Sequence, residues 1–250
     1  MTILWVNPVH TPAYDAEIAR TLRATGAEVD VLSFAPPGPT HLEYATHGLA
    51  VAAPLLSAVR WARAEGYAAL CIGCFYDPGL RAAREIAGPM VVTAPAEACL
   101  HSAAPLGSRV SVLVANRTCV AEAREAVERT GLGGRVASYR SLDMRVHDFQ
   151  ESPDRTRERM LAASRTAVEE DGADVLVLGC TLEFGLGDAV QRELGVPVLD
   201  ATVTTVAFAA YLADLAGRFG WRPSRLDYEC PPEEEIGWLP PATAPGPVTR

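Results

Sequence analysis

Two short runs in this chain end alike. Ala69-Leu-Cys-Ile-Gly73-Cys74 and Val175-Leu-Val-Leu-Gly179-Cys180 each read as a buried strand, then glycine, then cysteine, and each is followed by a helix-like stretch. In open α/β sheets ligands bind outside the carboxyl ends of the strands, so both thiols fall where chemistry is done. After Cys74 comes Phe75-Tyr76-Asp77-Pro78-Gly79. Asp77 suits a helix cap and Pro78 its first turn, which would set the thiol beside oriented N–H groups that lower its pKa. Thr181 after Cys180 suggests the same surroundings.

Other chemistries leave no trace. The sequence has no Gly-x-x-x-x-Gly-Lys-Ser/Thr loop, no Gly-x-Gly-x-x-Gly after a strand and no His-Glu-x-x-His, nor a Gly-x-Ser-x-Gly elbow. The glycines at 131, 133 and 134 read as a helix cap and turn. Cys71 and Cys74 have redox or zinc spacing, but Cys71 lies inside a strand and no second pair accompanies them. Cys71 is therefore read as a buried apolar residue, and Cys99, Cys119 and Cys230 as structural. No metal and no cofactor is expected. A net charge of −9 argues against nucleic acid, and the apolar stretch from Ala201 to Ala213 is shorter than the roughly 20 residues a bilayer needs. The start, Met1-Thr-Ile-Leu-Trp-Val, reads as a strand and not a signal peptide. Cytoplasmic location and a small-molecule substrate are the expectations, and the stretches around Trp61 and Trp221 leave room for self-association.

The elements that must hold the two cysteines alternate in βα order. Strands are expected near 3–6, 29–34, 68–73, 90–93, 110–115, 136–140, 175–179 and 196–199. Helices are expected near 14–25, 49–64, 79–86, 120–130, 153–170, 187–194 and 202–218. This is an α/β fold of two similar parallel-sheet lobes, pseudo-duplicated, with the active site expected in the cleft between them. Residues 1–107 form the first lobe, 108–201 the second, 202–230 a return onto the first, and 231–250 a loop and flexible tail.

Gly73-Cys74-Phe75-Tyr76-Asp77-Pro78-Gly79-Leu80 resembles the Gly-Cys-Phe-x-Asp-Pro-Gly-Leu segment of hydantoin racemases, in the aspartate/glutamate/hydantoin racemase superfamily. Leu178-Gly179-Cys180-Thr181 is similar to their second cysteine motif. Asn7-Pro8, Gly38-Pro39 ahead of Leu42-Glu43, Glu97-Ala98 with His101, and Leu106-Gly107 extend the resemblance over about residues 1 to 220. Two departures fall where substrate should bind: Val9 and His10 replace the Asn-Thr that commonly follows Asn-Pro, and Tyr76 is bulky where small residues are common.

The resemblance implies a cofactor-independent racemase or epimerase with Cys74 and Cys180 as its acid/base groups. Inverting a carbon acid requires a base on each face of one carbon. Free cysteine titrates near about 8.5, so a modest shift makes one thiol a base and leaves the other an acid. Substrate-binding residues are expected at Asn7, His10, Phe75, Tyr76, Thr118 and Thr181, His10 as a wall of the site. Backbone N–H groups after each cysteine, with Asn7 or Thr118, would form an oxyanion hole, worth about 3–4 kcal/mol per donor. Glu97 and His101 read as a helical pair. Hydantoin-type rings or related amino-acid derivatives are the leading substrates. A decarboxylase, a cis–trans isomerase or an Asp/Glu-type racemase on the same fold, and a two-lobed binding protein, are the alternatives.

Overall fold

The structure, a computed structural model, describes residues 1–239, 244 and 246–249. The chain divides into two compact units: Met1–Gly73, Asp77–Ala94 and the residues from Thr205 onward make unit 1, and Cys74–Tyr76 with Pro95–Thr204 make unit 2.

Unit 1 runs β1 (Thr2–Asn7), α1 (Asp15–Arg23), β2 (Glu28–Ser33), α2 (Ala45–Ala50), α3 (Ala52–Glu65), β3 (Ala69–Ile72), α4 (Leu80–Ile86) and β4 (Val91–Thr93). Ile3 to Val6 and Ala69 to Ile72 are wholly buried, which is why both strands are unbroken apolar runs: a parallel sheet is covered on both faces. Unit 2 runs α5 (Pro95–Ala103), β5 (Val110–Val114), α6 (Cys119–Arg129), β6 (Val136–Ser141), α7 (Asp148–Glu151), α8 (Pro153–Glu169), β7 (Val175–Leu178), α9 (Gly187–Leu194) and β8 (Val198–Leu199). Next come α10 (Ala201–Phe219), which starts in unit 2 and continues in unit 1, then α11 (Glu233–Ile236) and β9 (Val248–Thr249).

The sheets repeat one design. In unit 1 the order is β4-β3-β1-β2-β9, and in unit 2 it is β8-β7-β5-β6. The first strand of each unit is flanked by its second and third, and the fourth lies beyond the third. All these pairings are parallel; only β9 runs antiparallel, against β2.

Four expectations need correction. The break in the chain falls after Ala94 and not near residue 107, because α5 packs on α6 and β7 and so counts with unit 2. The helix expected from Leu49 is two, α2 and α3, meeting at Val51. The stretch from 231 is not all loop: Arg60 pairs with Glu233 and donates to Ile236 O at 3.4 Å, fastening α11, and β9 extends the sheet. Residues 240–243, 245 and 250 of the expected tail lie outside the described residues. Trp61 is buried against Tyr67, with rings 5.6 Å apart, and offers no open face, whereas Trp221 is exposed. No helix among the described residues is long and apolar enough to cross a membrane.

Candidate active site

Both cysteines follow a glycine that continues the sheet ladder. The Gly73 N–H donates to Val6 O and the Gly179 N–H to Leu113 O. Beyond Gly73, the segment Cys74–Tyr76 belongs to unit 2 and is tied down there by Arg129, whose Nη2 donates to Tyr76 O at 2.7 Å. Cys74 is 9% exposed. The Tyr76 phenol is hydrogen-bonded with the Cys119 thiol and stands near enough to Cys74 and Cys180 for charge on either to act on it. Burial, then these thiols, push its pKa far up, so it stays a neutral phenol.

Cys180 caps the one-turn 3-10 helix Thr181–Glu183, its Sγ accepting the Glu183 N–H while the Glu183 carboxyl oxygen Oε2 accepts the Cys180 N–H. The expected lowering of its pKa does not occur. Burial pushes the thiol well up, outweighing the Leu182 N–H that stabilises the thiolate; negative charge on Glu183, Cys74 or Cys119 would push the same way. Cys180 is thus a thiol at neutral pH. The cap expected at Thr181 is Cys180 itself, and Thr181 O accepts the Thr202 hydroxyl at 2.8 Å. The cap expected at Asp77 is also displaced: α4 begins at Leu80 behind Gly79, whose φ of 64° admits the chain later.

Unit 2 therefore gathers Cys74, Tyr76, Cys119 and Cys180. Cys119, expected to be structural, is the third thiol of this group, a placement the sequence reading missed. It starts α6, and its Sγ donates to Asn116 Oδ1 at 3.4 Å. Asn116 was also missed. Its Oδ1 takes the Thr118 N–H and hydroxyl at 3.1 and 2.5 Å, and its Nδ2 donates to Met144 O at 3.3 Å. Asn7 at the end of β1 and Asn116 two residues past β5 hold comparable places in the two units, which was the available signal. Thr118 is exposed at the head of α6, and Phe75 is 1% exposed, its side chain packed in the core. Cys71 and Cys99 are buried, but Cys230 is exposed and so holds no core together.

In unit 1, Asn7 ends β1 and is 7% exposed. Its Nδ2 donates to Ser33 Oγ at 3.0 Å and to Asp15 Oδ1 at 3.5 Å, and Ser33 Oγ donates to the same Asp15 oxygen at 2.6 Å. The His10 N–H donates to Pro39 O at 2.8 Å, and its ring meets Phe34 edge-on. Glu97 and His101 both lie on α5. Among the described residues no group of three His, Cys, Asp or Glu is spaced to hold a metal ion.

A duplicated parallel-sheet fold with paired strand-end cysteines has clear relatives. The family described as Asp/Glu/hydantoin racemase matches residues 3–209. A hydantoin racemase from Pseudomonas sp. (strain NS671) is 32% identical over 239 residues, 94% of each chain. Among solved structures, the allantoin racemase from Klebsiella pneumoniae superposes with a TM-score of 0.85 at 28% identity, over 93% of this chain and 94% of that one. A variant of arylmalonate decarboxylase shares the fold alone, with a TM-score of 0.66 at 18% identity, over 90% and 97% of the two chains. The chain belongs to the Asp/Glu/hydantoin racemase family.

Proposed function

We propose that the protein racemises a hydantoin-type ring, with Cys74 and Cys180 as the two acid/base groups. The observation that carries the reading is that both thiols lie in one cluster in unit 2, close enough for the charge of Cys74 to act on Cys180. A hydantoin bears a hydrogen on the carbon beside its C4 carbonyl. The base cysteine takes that proton, the electron pair moves into the carbonyl as an enolate, and the other thiol returns a proton to the opposite face. Cys180, protonated at rest, enters as the acid and leaves as thiolate, and Cys74 does the reverse. After one turnover the two have exchanged roles.

Two features support chemistry by side chains alone. The 250-residue sequence contains no lysine, so it has no side-chain amine to join an aldehyde cofactor as a Schiff base. The Tyr76 phenol, neutral and beside both thiols, is placed to donate a hydrogen bond. A decarboxylase needs only one protonating thiol, and two in one cluster favour inversion.

The test is to follow optical rotation of single enantiomers of 5-methylhydantoin and of allantoin with the purified protein. Rotation should decay to zero for at least one of them. Constant rotation for every 5-substituted hydantoin tried would overturn the substrate class.

A further inference from the structure

Glu183 is wholly buried, and the mechanism above does not use it. Its Oε2 accepts the Cys180 N–H at 3.2 Å, but its Oε1, equally buried, meets no hydrogen-bond partner. No arginine or histidine forms an ion pair with it among the described residues. A buried carboxylate with no cation costs several kcal/mol, and such a group keeps its proton instead. The surroundings agree. Asp200, whose Oδ2 accepts the Gly185 N–H at 2.9 Å and whose Oδ1 takes the Thr202 N–H at 2.8 Å, acts on Glu183 as a second acid. From α7, Gln150 Nε2 donates to Leu182 O and Phe184 O, with Asp148 and Glu151 on the same helix. Asp188 at the start of α9 acts on Asp200. The titratable group whose charge acts on this carboxyl is thus another acid, Asp200.

We propose that Glu183 is the positioning residue of Cys180, a neutral carboxylic acid that fixes the thiol's backbone through Oε2 while keeping a negative charge away from the sulfur. The consequence follows from the capping arrangement. Sγ accepts an N–H from the same residue whose carboxyl holds the Cys180 N–H, so moving Glu183 moves the thiol. Were the carboxyl ionised, its charge would oppose formation of the thiolate. Burial raises the Glu183 pKa well above the ordinary value, which favours the protonated carboxyl beside the thiol. The role rests on the acid/base reading of Cys180 for its kinetic part only.

The experiment compares wild type, Glu183→Gln and Glu183→Ala, with iodoacetamide alkylation of Cys180 resolved by peptide mass spectrometry across pH, beside racemisation rates. Glutamine keeps an acceptor for the Cys180 N–H and cannot ionise. Glu183→Gln should keep racemisation within about threefold of wild type at neutral pH. It should also leave the midpoint of Cys180 alkylation within about half a pH unit of wild type, since one neutral group replaces another. Glu183→Ala should lose about tenfold or more in rate. An alkylation midpoint in Glu183→Gln lower than in wild type by more than about half a pH unit reveals an ionised carboxyl and overturns the proposal, as does a glutamine variant as impaired as alanine. Alkylation is read without substrate, so it stands or falls separately from the proposed racemisation.

Discussion

Gly73 and Gly179 make the same bond in two copies of one sheet. The Gly73 N–H donates to Val6 O in β1 and the Gly179 N–H to Leu113 O in β5, each at 2.7 Å. Neither position has room for a side chain. A Cβ at Gly73 would stand 2.6 Å from the buried Trp5 ring, and one at Gly179 would press on the Leu113 carbonyl and come within 3.0 Å of Val112. The glycine before each cysteine is what lets the chain leave the sheet edge with the thiol at the strand end.

Replacing either glycine with alanine should therefore overpack the neighbouring strand at a cost of about 1–3 kcal/mol. Tm should fall by roughly 2–12 °C, and racemisation should fall with it. A Gly179→Ala protein with unchanged Tm would show that the close approach to Leu113 is not needed.

Tyr76 carries the second prediction. The Tyr76 phenol is fixed on Cys119, beside Cys74 and Cys180, and under the proposed function it would occupy space that a substituent on the ring needs. Tyr76→Ala should raise kcat/KM for 5-benzylhydantoin relative to 5-methylhydantoin by about tenfold or more. An unchanged ratio would remove Tyr76 from the substrate wall.

Asp15 gives a prediction about stability. It is 1% exposed, and burial raises its pKa against the hydrogen bonds from Ser33 and Asn7. A carboxyl whose folded pKa is raised binds its proton more tightly folded than unfolded, so stability declines as pH climbs from the ordinary 3.8 through the folded pKa. Asp15→Asn, permanently neutral and still an acceptor, should abolish that decline in denaturant titrations. Asp15→Ala should cost about 1–3 kcal/mol by leaving the Ser33 hydroxyl without its acceptor. A pH dependence identical in wild type and Asp15→Asn would contradict this.

Asp171 has the opposite sign. Arg140 reaches it through Nε at 2.7 Å and Nη2 at 2.5 Å, and this pair holds the carboxyl below its ordinary value. Its contribution is present above pH 3.8 and is lost as pH falls through the lowered pKa. The pair is partly exposed, so Asp171→Asn should cost no more than about 1 kcal/mol at pH 7 and nothing in strong acid. Equal destabilisation at both pH values would point to packing instead.

The strand-Gly-Cys repeat was legible because buried parallel strands are unbroken apolar runs, and the same alternation located eight strands. What escaped depends on contacts distant in sequence. The helix Pro95–Ala103 changes units through packing on α6 and β7, which no local pattern encodes. Cys119 reads as an ordinary core thiol until Tyr76 is set against it. Glu183, three residues past Cys180, looks like one more surface acid; only the burial of its turn reveals a carboxyl without a cation. The helix-end argument for Cys180 failed for the same reason, since burial outweighs the N–H groups.

The central claim, two thiols serving opposite faces of one carbon, is tested most directly in deuterated water with single enantiomers of a hydantoin the protein racemises. Wild type should place deuterium in the newly formed enantiomer before it appears in the remaining substrate. Cys74→Ser and Cys180→Ser should each lose racemisation by about a hundredfold or more. If both variants racemise at the wild-type rate, the two-cysteine account is wrong.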